Sequence, residues 1–360
     1  MRIRKATRLY EEWLGHQLTL IPADIRRKHD AMAKSRFSFL RATFYRWIQL
    51  WPRECSRLVP APPVLAVGDL HVENFGTWRD AEGRLIWGVN DFDEAFYLPF
   101  TQDLVRLAAS AILAAQEDHL RLTPKSCCSA ILEGYADSLS RSGEPFVLEE
   151  QHDWLRRMAL SEQRSPQKFW ARIRKLPRVT YPVSKSLRRL LESLLPRPGL
   201  KYRLAARIAG LGSLGRQRIL VIAEYDGGLV AREAKASAPS ACCWAEKHAR
   251  GKVFFPALLQ QAIRCPDPFL AFRDGWLLRR LSPHCSRIEL DQLNRGRDEM
   301  RLLYAMGWET GNVHLGSRKA IPRVRRALSK LPRNWLISAA QQMCSLVNAD
   351  WLEWRRSRSA

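Results

Sequence analysis

Two short polar segments, each placed after an apolar run, constrain this chain more than any other feature. The first, GDLHVENFG (68–76), contains Asp69 and, five positions later, Asn74; the second, VNDFDEA (89–95), contains Asp91. Carboxylate and amide oxygens are hard ligands of the kind that Mg²⁺ prefers, usually together with waters and phosphate oxygens. The spacing therefore predicts that the two segments form the acidic edge of a metal site.

The apolar runs before these segments predict two strands. Residues 64–67 end at Gly68, and residues 84–89 end close to Asp91. Short apolar runs bounded by turn residues are typical of buried strands. The alternative is that both segments are tight turns capped by Asp and Asn, with no metal. Two strands that both end in acidic residues favour the metal site.

The interval from Asp69 to Asn74 equals the Asp-to-Asn interval of a kinase catalytic loop. We therefore predict that Asp69 orients an acceptor hydroxyl or accepts its proton. Asn74 and Asp91 are the predicted metal ligands, and Asp93 is the reserve. His71 is a candidate for supporting the catalytic loop, although for this residue alone a purely structural role is the more common one.

A glycine-rich turn between β-rich segments marks the second half of the chain. The predicted order is a strand at 204–209, the turn, a strand at 218–224, a hairpin and a strand at 229–236, with two further strands before residue 281. The turn contains Gly210, Gly212, Ser213 and Gly215. Glycines let backbone N–H groups approach phosphate oxygens without a Cβ clash. Because a strand follows, the pattern favours a phosphate-covering hairpin over a dinucleotide-binding turn, with a plain flexible hairpin as the alternative.

A cation on the third of these strands is expected to contact the phosphates, and the sequence offers two. Arg232 and Lys235 are three positions apart, so they point to opposite faces of a regular strand. The pattern leaves the choice between them open. A helix is predicted from Pro239 to about Ile263, and Glu246 on it is a candidate partner for whichever cation is used, with a solvated surface glutamate as the alternative.

Composition and the local pattern of apolar and charged residues predict four regions. These are a helical catalytic lobe at 1–160, a basic linker at 161–203, a β-rich nucleotide lobe at 204–281 and C-terminal helices packing on the catalytic lobe at 282–360. The chain has 59 basic and 36 acidic residues and a net charge of +23. Such a charge attracts phosphate-rich partners, including a nucleotide, nucleic acid or another polyanion.

The cysteines and the hydropathy predict a cytoplasmic protein. None of the eight cysteines forms a C-x-x-C pair, and they are expected to be small, buried and reduced. The N-terminus lacks the apolar core of a secretion signal, and no apolar run approaches the length of a membrane span.

The chain resembles a bacterial family, the domain of unknown function 2252 (DUF2252). The segments that carry the likeness are GDLHVENFG, NDFDEA with DLVRLAAS, RIAGLGSLGRQR and REAKASAPSA. That family is distantly similar to protein kinases and aminoglycoside phosphotransferases, whose G-D-x-H-x-x-N loop resembles residues 68–74. The resemblance implies catalytic Asp69 and metal-binding Asn74 and Asp91. Together with the motifs, it leads us to predict a phosphotransferase that binds ATP and Mg²⁺ between two lobes and has an unknown phosphate acceptor.

The chain departs from the family and from kinases in two respects. The family usually has Lys-Glu-Ala where this chain has Arg232, Glu233 and Ala234, and Arg is not a neutral replacement for Lys. The catalytic segments also precede the glycine-rich turn, the reverse of the order in kinases. We therefore expect an α+β, two-lobed, kinase-like fold that is circularly permuted.

Two rival functions fit parts of the sequence. A metal-dependent phosphoesterase is suggested by Asp69-Leu70-His71 and by GNVH (311–314), although such enzymes need more ligands. A non-catalytic adaptor or pseudokinase that binds nucleic acid is suggested by the net charge and by residues 318–333, which have seven Lys or Arg and no acid.

Overall fold

The computed structural model describes residues 1–149, 151–160, 165–247, 251–283, 285 and 297–359. The fold mixes helices and several small sheets, which confirms the α+β class. The chain opens with four helices: α1 (Ile3–Gln17), α2 (Pro22–Lys34), α3 (Arg36–Ala42) and α4 (Phe44–Glu54).

Five short strands then surround the two polar segments. β1 (Pro63–Ala66) pairs antiparallel with β4 (Phe96–Pro99), and β2 (Phe75–Arg79), β3 (Leu85–Val89) and β5 (Phe146–Val147) form a second sheet. β1 and β3 confirm the two predicted strands. β2 was not predicted; it forms a hairpin with β3 and thereby brings the two polar segments side by side.

Three helices follow: α5 (Phe100–Gln116), α6 (Pro124–Ser140) and α7 (Asp153–Ala159). α5 is buried on all sides from Phe100 to Ala114. A helix buried on all sides is the centre of a core, yet α5 also contains Asp103 and Arg106 with no exposed surface. These two charges lie directly beside the first polar segment.

The segment predicted as a linker contributes two helices to the β-rich unit. α8 (Pro166–Arg174) and α9 (Lys185–Glu192) precede a five-stranded antiparallel sheet. Ile173 of α8 packs in one apolar cluster of that sheet, and Leu187 and Leu191 of α9 pack in another. Residues 165–203 therefore contain two short helices that pack on this sheet.

The sheet confirms the five strands predicted between residues 204 and 281. Its order is β6-β7-β8-β10-β9. The strands are β6 (Tyr202–Ala206), β7 (Arg218–Tyr225), β8 (Gly228–Ala236), β9 (Ala271–Arg273) and β10 (Trp276–Leu281).

The long helix predicted from Pro239 is wrong. The structure has α10 (Ala241–Ala245) and α11 (Phe255–Gln261), with Pro256 in the first turn of the second helix. A proline inside a continuous helix would lack a donor and clash with the preceding turn, so Pro256 suits only a new start. Residues 248–250 lie outside the described part.

From residue 297 onward, the described part of the chain forms α12 (Arg297–Leu315), α13 (Ile321–Lys330) and α14 (Trp335–Ser359). The main apolar core contains residues of α12 and α14 together with residues of α1, α4 and α5, so the C-terminal helices share a core with the N-terminal half. Residues 286–296, just before α12, lie outside the described part. No helix within the described ranges combines the length and apolar character needed to cross a membrane.

Candidate functional site

Asp103 anchors the start of the loop that contains Asp69. Its carboxylate is completely buried and accepts hydrogen bonds from the backbone N–H groups of Val67 (2.7 Å) and Gly68 (2.9 Å). His314 Nε2 lies 3.1 Å from Asp103 Oδ2, and the other ring nitrogen lies 3.0 Å from the Tyr135 hydroxyl. Asp103 lies in the first turn of α5.

Asp69 is oriented by the buried guanidinium of Arg106. Arg106 donates to Asp69 Oδ1 from Nε (2.8 Å) and from Nη2, and the same Nη2 donates to the carbonyl of Leu40. Burial raises the pKa of Asp69, and the charge of Arg106 opposes that rise. Because the described hydrogen bonds use Oδ1, the second oxygen, Oδ2, is the one that can meet a ligand.

Asn74 joins the two polar segments. Its Nδ2 donates to the carbonyls of Asp69 (3.1 Å) and Asp91 (3.0 Å), which fixes which end of the amide is nitrogen. Its Oδ1 is buried and lacks a hydrogen-bond partner within the described part of the chain. A buried acceptor without a partner costs about 1–3 kcal/mol. A hard cation bound there would satisfy it, so the donor set fits Mg²⁺.

Asp91 and Asp93 have different surroundings. Lys235 Nζ lies 2.6 Å from Asp93 Oδ2 and 3.4 Å from Asp91 Oδ1, and Arg216 Nη1 lies 3.0 Å from Asp93 Oδ2. Burial alone would raise the pKa of Asp93, but Lys235 and Arg216 outweigh it and lower the pKa to about 2. The side chain of Asp91 is 47% exposed and that of Asp93 only 11%. Asp91 is therefore the more accessible ligand.

Glu94 holds the second polar segment against the start of α10. Its Oε2 accepts from Ser240 Oγ (2.9 Å) and from the N–H of Ala241 (2.7 Å), and Arg216 Nη2 lies 3.6 Å from Oε1. Burial raises the pKa of Glu94, whereas Arg216 lowers it. The acidic run 91–94 was the only sequence signal for this contact.

The glycine-rich turn lies directly over Asp69. A Cβ placed on Gly212 would lie 3.4 Å from Asp69 Oδ2 and 3.1 Å from the carbonyl of Arg41, so this approach leaves little room for a side chain. The carbonyl of Gly212 accepts from Lys28 Nζ (3.1 Å), and the carbonyl of Gly215 accepts from the N–H of Ile21 (2.8 Å). The turn is thus fixed to α2, and two segments far apart in sequence meet.

Strand alternation on β8 separates the two candidate cations. Lys235 is buried and faces the acidic segment. Arg232 points to the other face of the sheet, where its guanidinium lies 4.6 Å from the Phe269 ring centre. Glu246 is exposed at the end of α10, and the ion pairs described for Lys235 are with Asp91 and Asp93 instead. The geometry favours Lys235 as the cation of the cleft.

Glu233, which the sequence analysis did not single out, is the centre of an arginine cluster. It is completely buried and accepts from Arg207 Nη1 (2.7 Å), Arg218 Nη1 (2.9 Å) and Arg279 Nε (2.7 Å). Burial alone would raise the pKa of Glu233, but the three guanidinium groups lower it well below its usual value. A sequence signal existed, because Glu233 and Lys235 must share a face of β8.

Ser213 and Gly210 connect this cluster to the glycine-rich turn. Ser213 Oγ accepts from Arg218 Nη2 (2.9 Å), and the N–H of Ser213 donates to the carbonyl of Gly210 (3.2 Å). The hydroxyl is therefore engaged by an arginine of the sheet.

A cleft of about 580 Å³ unites these groups. The polar segments line one wall, and the glycine-rich turn and the arginine cluster line the other. Phe169, Ile173 and Leu176, from α8 and the residues after it, add an apolar section. His71 also lines the cleft, and its Nδ1 accepts from the N–H of Glu73 (3.2 Å), which stabilises the 3₁₀ turn Val72–Asn74.

Residues 20–181 match one family model, described as an uncharacterized protein conserved in bacteria (DUF2252). The resemblance to DUF2252 is confirmed over this segment. It contains Asp69, Asn74 and Asp91, whereas the glycine-rich turn and β8 follow after its end. No curated protein and no solved structure matches the chain. The description of this family names no reaction, and the chemistry of the cleft is the remaining guide to the activity.

Proposed function

We propose that this protein is an ATP- and Mg²⁺-dependent phosphotransferase. The observation that carries the proposal is the buried Asn74 Oδ1, which lacks a partner among the described residues and lies beside Asp69 and Asp91 in one cleft. A cationic strand face lies opposite these oxygens. A magnesium–nucleotide complex needs hard oxygen ligands on one side and cations on the other.

Each side chain has a defined role in this proposal. Asn74 Oδ1 and the Asp91 carboxylate would hold Mg²⁺, which when bound neutralises charge on the phosphate oxygens. Asp69 Oδ2 orients the acceptor hydroxyl and accepts its proton while Arg106 holds Oδ1. Lys235 contributes positive charge from β8, and the glycine-rich turn covers the phosphates. Asp103 is a positioning residue, because it fixes the backbone just before Asp69.

The permuted kinase-like arrangement belongs to the same proposal. The five-stranded sheet comes late in the sequence, yet its Lys235 contacts the early acidic segment. Ser317, just after α12, accepts from the N–H of Leu65 on β1 (2.8 Å). The end of α12 thus adjoins the strand that leads to Asp69, which supports α12 as the helix that precedes a catalytic loop in an unpermuted chain.

Calorimetric titration of ATP with and without Mg²⁺ tests the proposal. Wild type should bind ATP more tightly with Mg²⁺, and Asp91→Ala should lose that gain because a ligand is removed. Asp153→Ala is the matched control, since Asp153 is exposed on α7 and does not line the cleft. An Asp91→Ala protein that is folded by circular dichroism and keeps the full magnesium dependence would remove Asp91 from the site.

The basic surface formed by residues 318–333 favours a second function, the binding of nucleic acid. The seven Lys and Arg side chains in 318–333 are all exposed, and none forms an ion pair with a described residue. Such a surface attracts a polyanion such as nucleic acid. Oligonucleotide binding that weakens steeply with salt, in a protein that does not bind Mg²⁺·ATP, would select this function.

The phosphoesterase alternative gains no support. Asn312 and His314 are buried; Asn312 Oδ1 accepts from Ser138 Oγ (3.2 Å), and His314 contacts Asp103 and Tyr135. Across the described ranges, no group of three or more His, Cys, Asp or Glu side chains could hold a metal.

A further inference from the structure

The arginine cluster on the cleft face of the sheet contains more positive charge than its own carboxylate balances. Arg207, Arg218 and Arg279 all donate to Glu233, so three positive charges surround one negative charge. Burying an unbalanced charge in a low-dielectric site is unfavourable. A single arginine is enough to neutralise Glu233, so the cluster itself keeps two further positive charges that can attract an anion.

Two of the three guanidinium groups can reach such an anion. The side chains of Arg207 and Arg279 are 29% and 25% exposed, and both line the cleft. Among the described hydrogen bonds, Arg207 donates only through Nη1 and Arg279 only through Nε. Since a guanidinium has five N–H donors, several donors of each arginine have no described acceptor.

Glu233 gives the cluster a fixed geometry. Arg218 is 5% exposed, and it donates both to Glu233 and to Ser213 of the glycine-rich turn. Arg279 lies directly opposite Glu233 in the pairing of β8 with β10. Arginine side chains held in this way lose little further conformational entropy when they bind a planar or tetrahedral oxyanion.

The cluster lies across the cleft from the acidic segment and close to it. Lys235, the neighbour of Arg218 across the β7–β8 pair, contacts both Asp91 and Asp93. The negative charge of Asp91 also acts on Arg218 and on Arg279. A phosphate chain between the two walls would therefore present one side to the acidic segment and the other to the arginines.

We propose that Arg207, Arg218 and Arg279 form an anion site for a phosphate chain, with Glu233 as the residue that positions them. This site deepens the proposed function. It rests on that function in one respect only, namely that the phosphate chain belongs to a nucleotide. Its chemistry is that of any linear phosphate chain, because paired N–H donors of arginine match phosphate oxygens. The site would hold the phosphate oxygens that Mg²⁺ does not contact.

Magnesium-free titration with inorganic triphosphate in the presence of EDTA tests the site. Wild type should bind, and Arg279→Gln and Arg207→Gln should each bind about tenfold more weakly, since each loses a charge-assisted contact. Arg280→Gln is the matched control, because Arg280 follows Arg279 on β10 but stacks on Phe269 at the other face. It should bind within about twofold of wild type.

The outcomes separate this site from the proposed function. Wild type that fails to bind triphosphate, or cluster variants that bind as well as Arg280→Gln, would overturn the anion site. Asp91→Ala should still bind magnesium-free triphosphate, because it keeps all three arginines. Triphosphate binding that depends on Arg279, in a protein without magnesium-dependent ATP binding, would support the anion site and reject the phosphotransferase. Comparing triphosphate with ADP and ATP then shows whether a nucleoside adds affinity.

Discussion

At the residue scale, the cleft joins residues that are close in sequence, such as Asp69 and Asn74, to supporting residues that are far from them, such as His314, which contacts Asp103. Asp69, Asn74 and Asp91 were predicted because their spacing within two short segments is itself a chemical signal. Asp103 and His314 were not recognised, since their partners are 36 and 211 positions away. A charged residue inside an apolar helix, Asp103, was the only available hint.

Strand alternation could separate the two candidate cations but could not identify which of them faces the acidic segment. It correctly implied that Arg232 and Lys235 face opposite sides of β8. Which side forms the cleft depends on how the sheet packs against the acidic segment, and no local pattern encodes that. Arg232, which stands where the family usually has lysine, therefore lies on the sheet face that packs on Phe269, away from the acidic segment.

At the residue scale, Asp93 should make stability depend on pH. Its folded pKa of about 2 lies below the ordinary value of 3.8, so its stabilisation is present above about pH 4 and is lost as pH falls toward 2. We expect Asp93→Asn to lower the free energy of unfolding by about 2 kcal/mol at pH 7. Urea unfolding of both proteins at several pH values between 2.5 and 7 measures this difference.

The difference between wild type and Asp93→Asn should shrink as the pH is lowered. Asp153→Asn serves as the control, because Asp153 is an exposed aspartate on α7. A difference that stays constant from pH 7 to pH 2.5 would contradict the ion pairs of Asp93 with Lys235 and Arg216.

At the scale of elements, the pattern of apolar residues predicted the strands of the late sheet but not the helices that pack on it. The five strands of the late sheet were predicted because hairpin turns such as Asp226-Gly227 bound them clearly. α8 and α9 were missed, since each is under ten residues long and lies in a stretch rich in Arg, Pro and Ser. Their few apolar residues form a recognisable pattern only once the sheet face that they pack against is known.

The close packing of α6 against α12 predicts that a side chain added between them is destabilising. A Cβ on Gly307 would lie 2.0 Å from the carbonyl of Ile131, so the two helix backbones touch. Gly307→Ala should therefore lower the free energy of unfolding by about 1–3 kcal/mol through overpacking. It should also weaken Mg²⁺·ATP binding, because α12 carries His314, which contacts Asp103.

Gly15→Ala is the control for that substitution. Gly15 is exposed in α1, and its nearest atom would lie 3.8 Å away, so the helix propensity of alanine should dominate. Chemical denaturation should show a gain of up to about 1 kcal/mol for Gly15→Ala. Equal effects of the two substitutions would mean that α6 and α12 do not pack this closely.

At the scale of the whole molecule, the sequence indicated two cooperating parts but could not establish how they meet. The contact includes ion pairs between Asp93 on one part and Lys235 and Arg216 on the other. Long-range pairings of this kind leave no periodic trace in a single chain. The prediction of a permuted kinase-like fold therefore came from resemblance, and it stands as part of the proposed function.

The central claim is that one divalent ion and a nucleotide lie between the acidic segments and the glycine-rich turn. A crystal structure with Mn²⁺ and a non-hydrolysable ATP analogue tests it directly, because the anomalous signal of manganese locates the ion. We predict a peak about 2.0–2.3 Å from Asn74 Oδ1 and from an Asp91 carboxylate oxygen, with the phosphates under the turn. A metal bound elsewhere, or a nucleotide outside the cleft, would contradict the account.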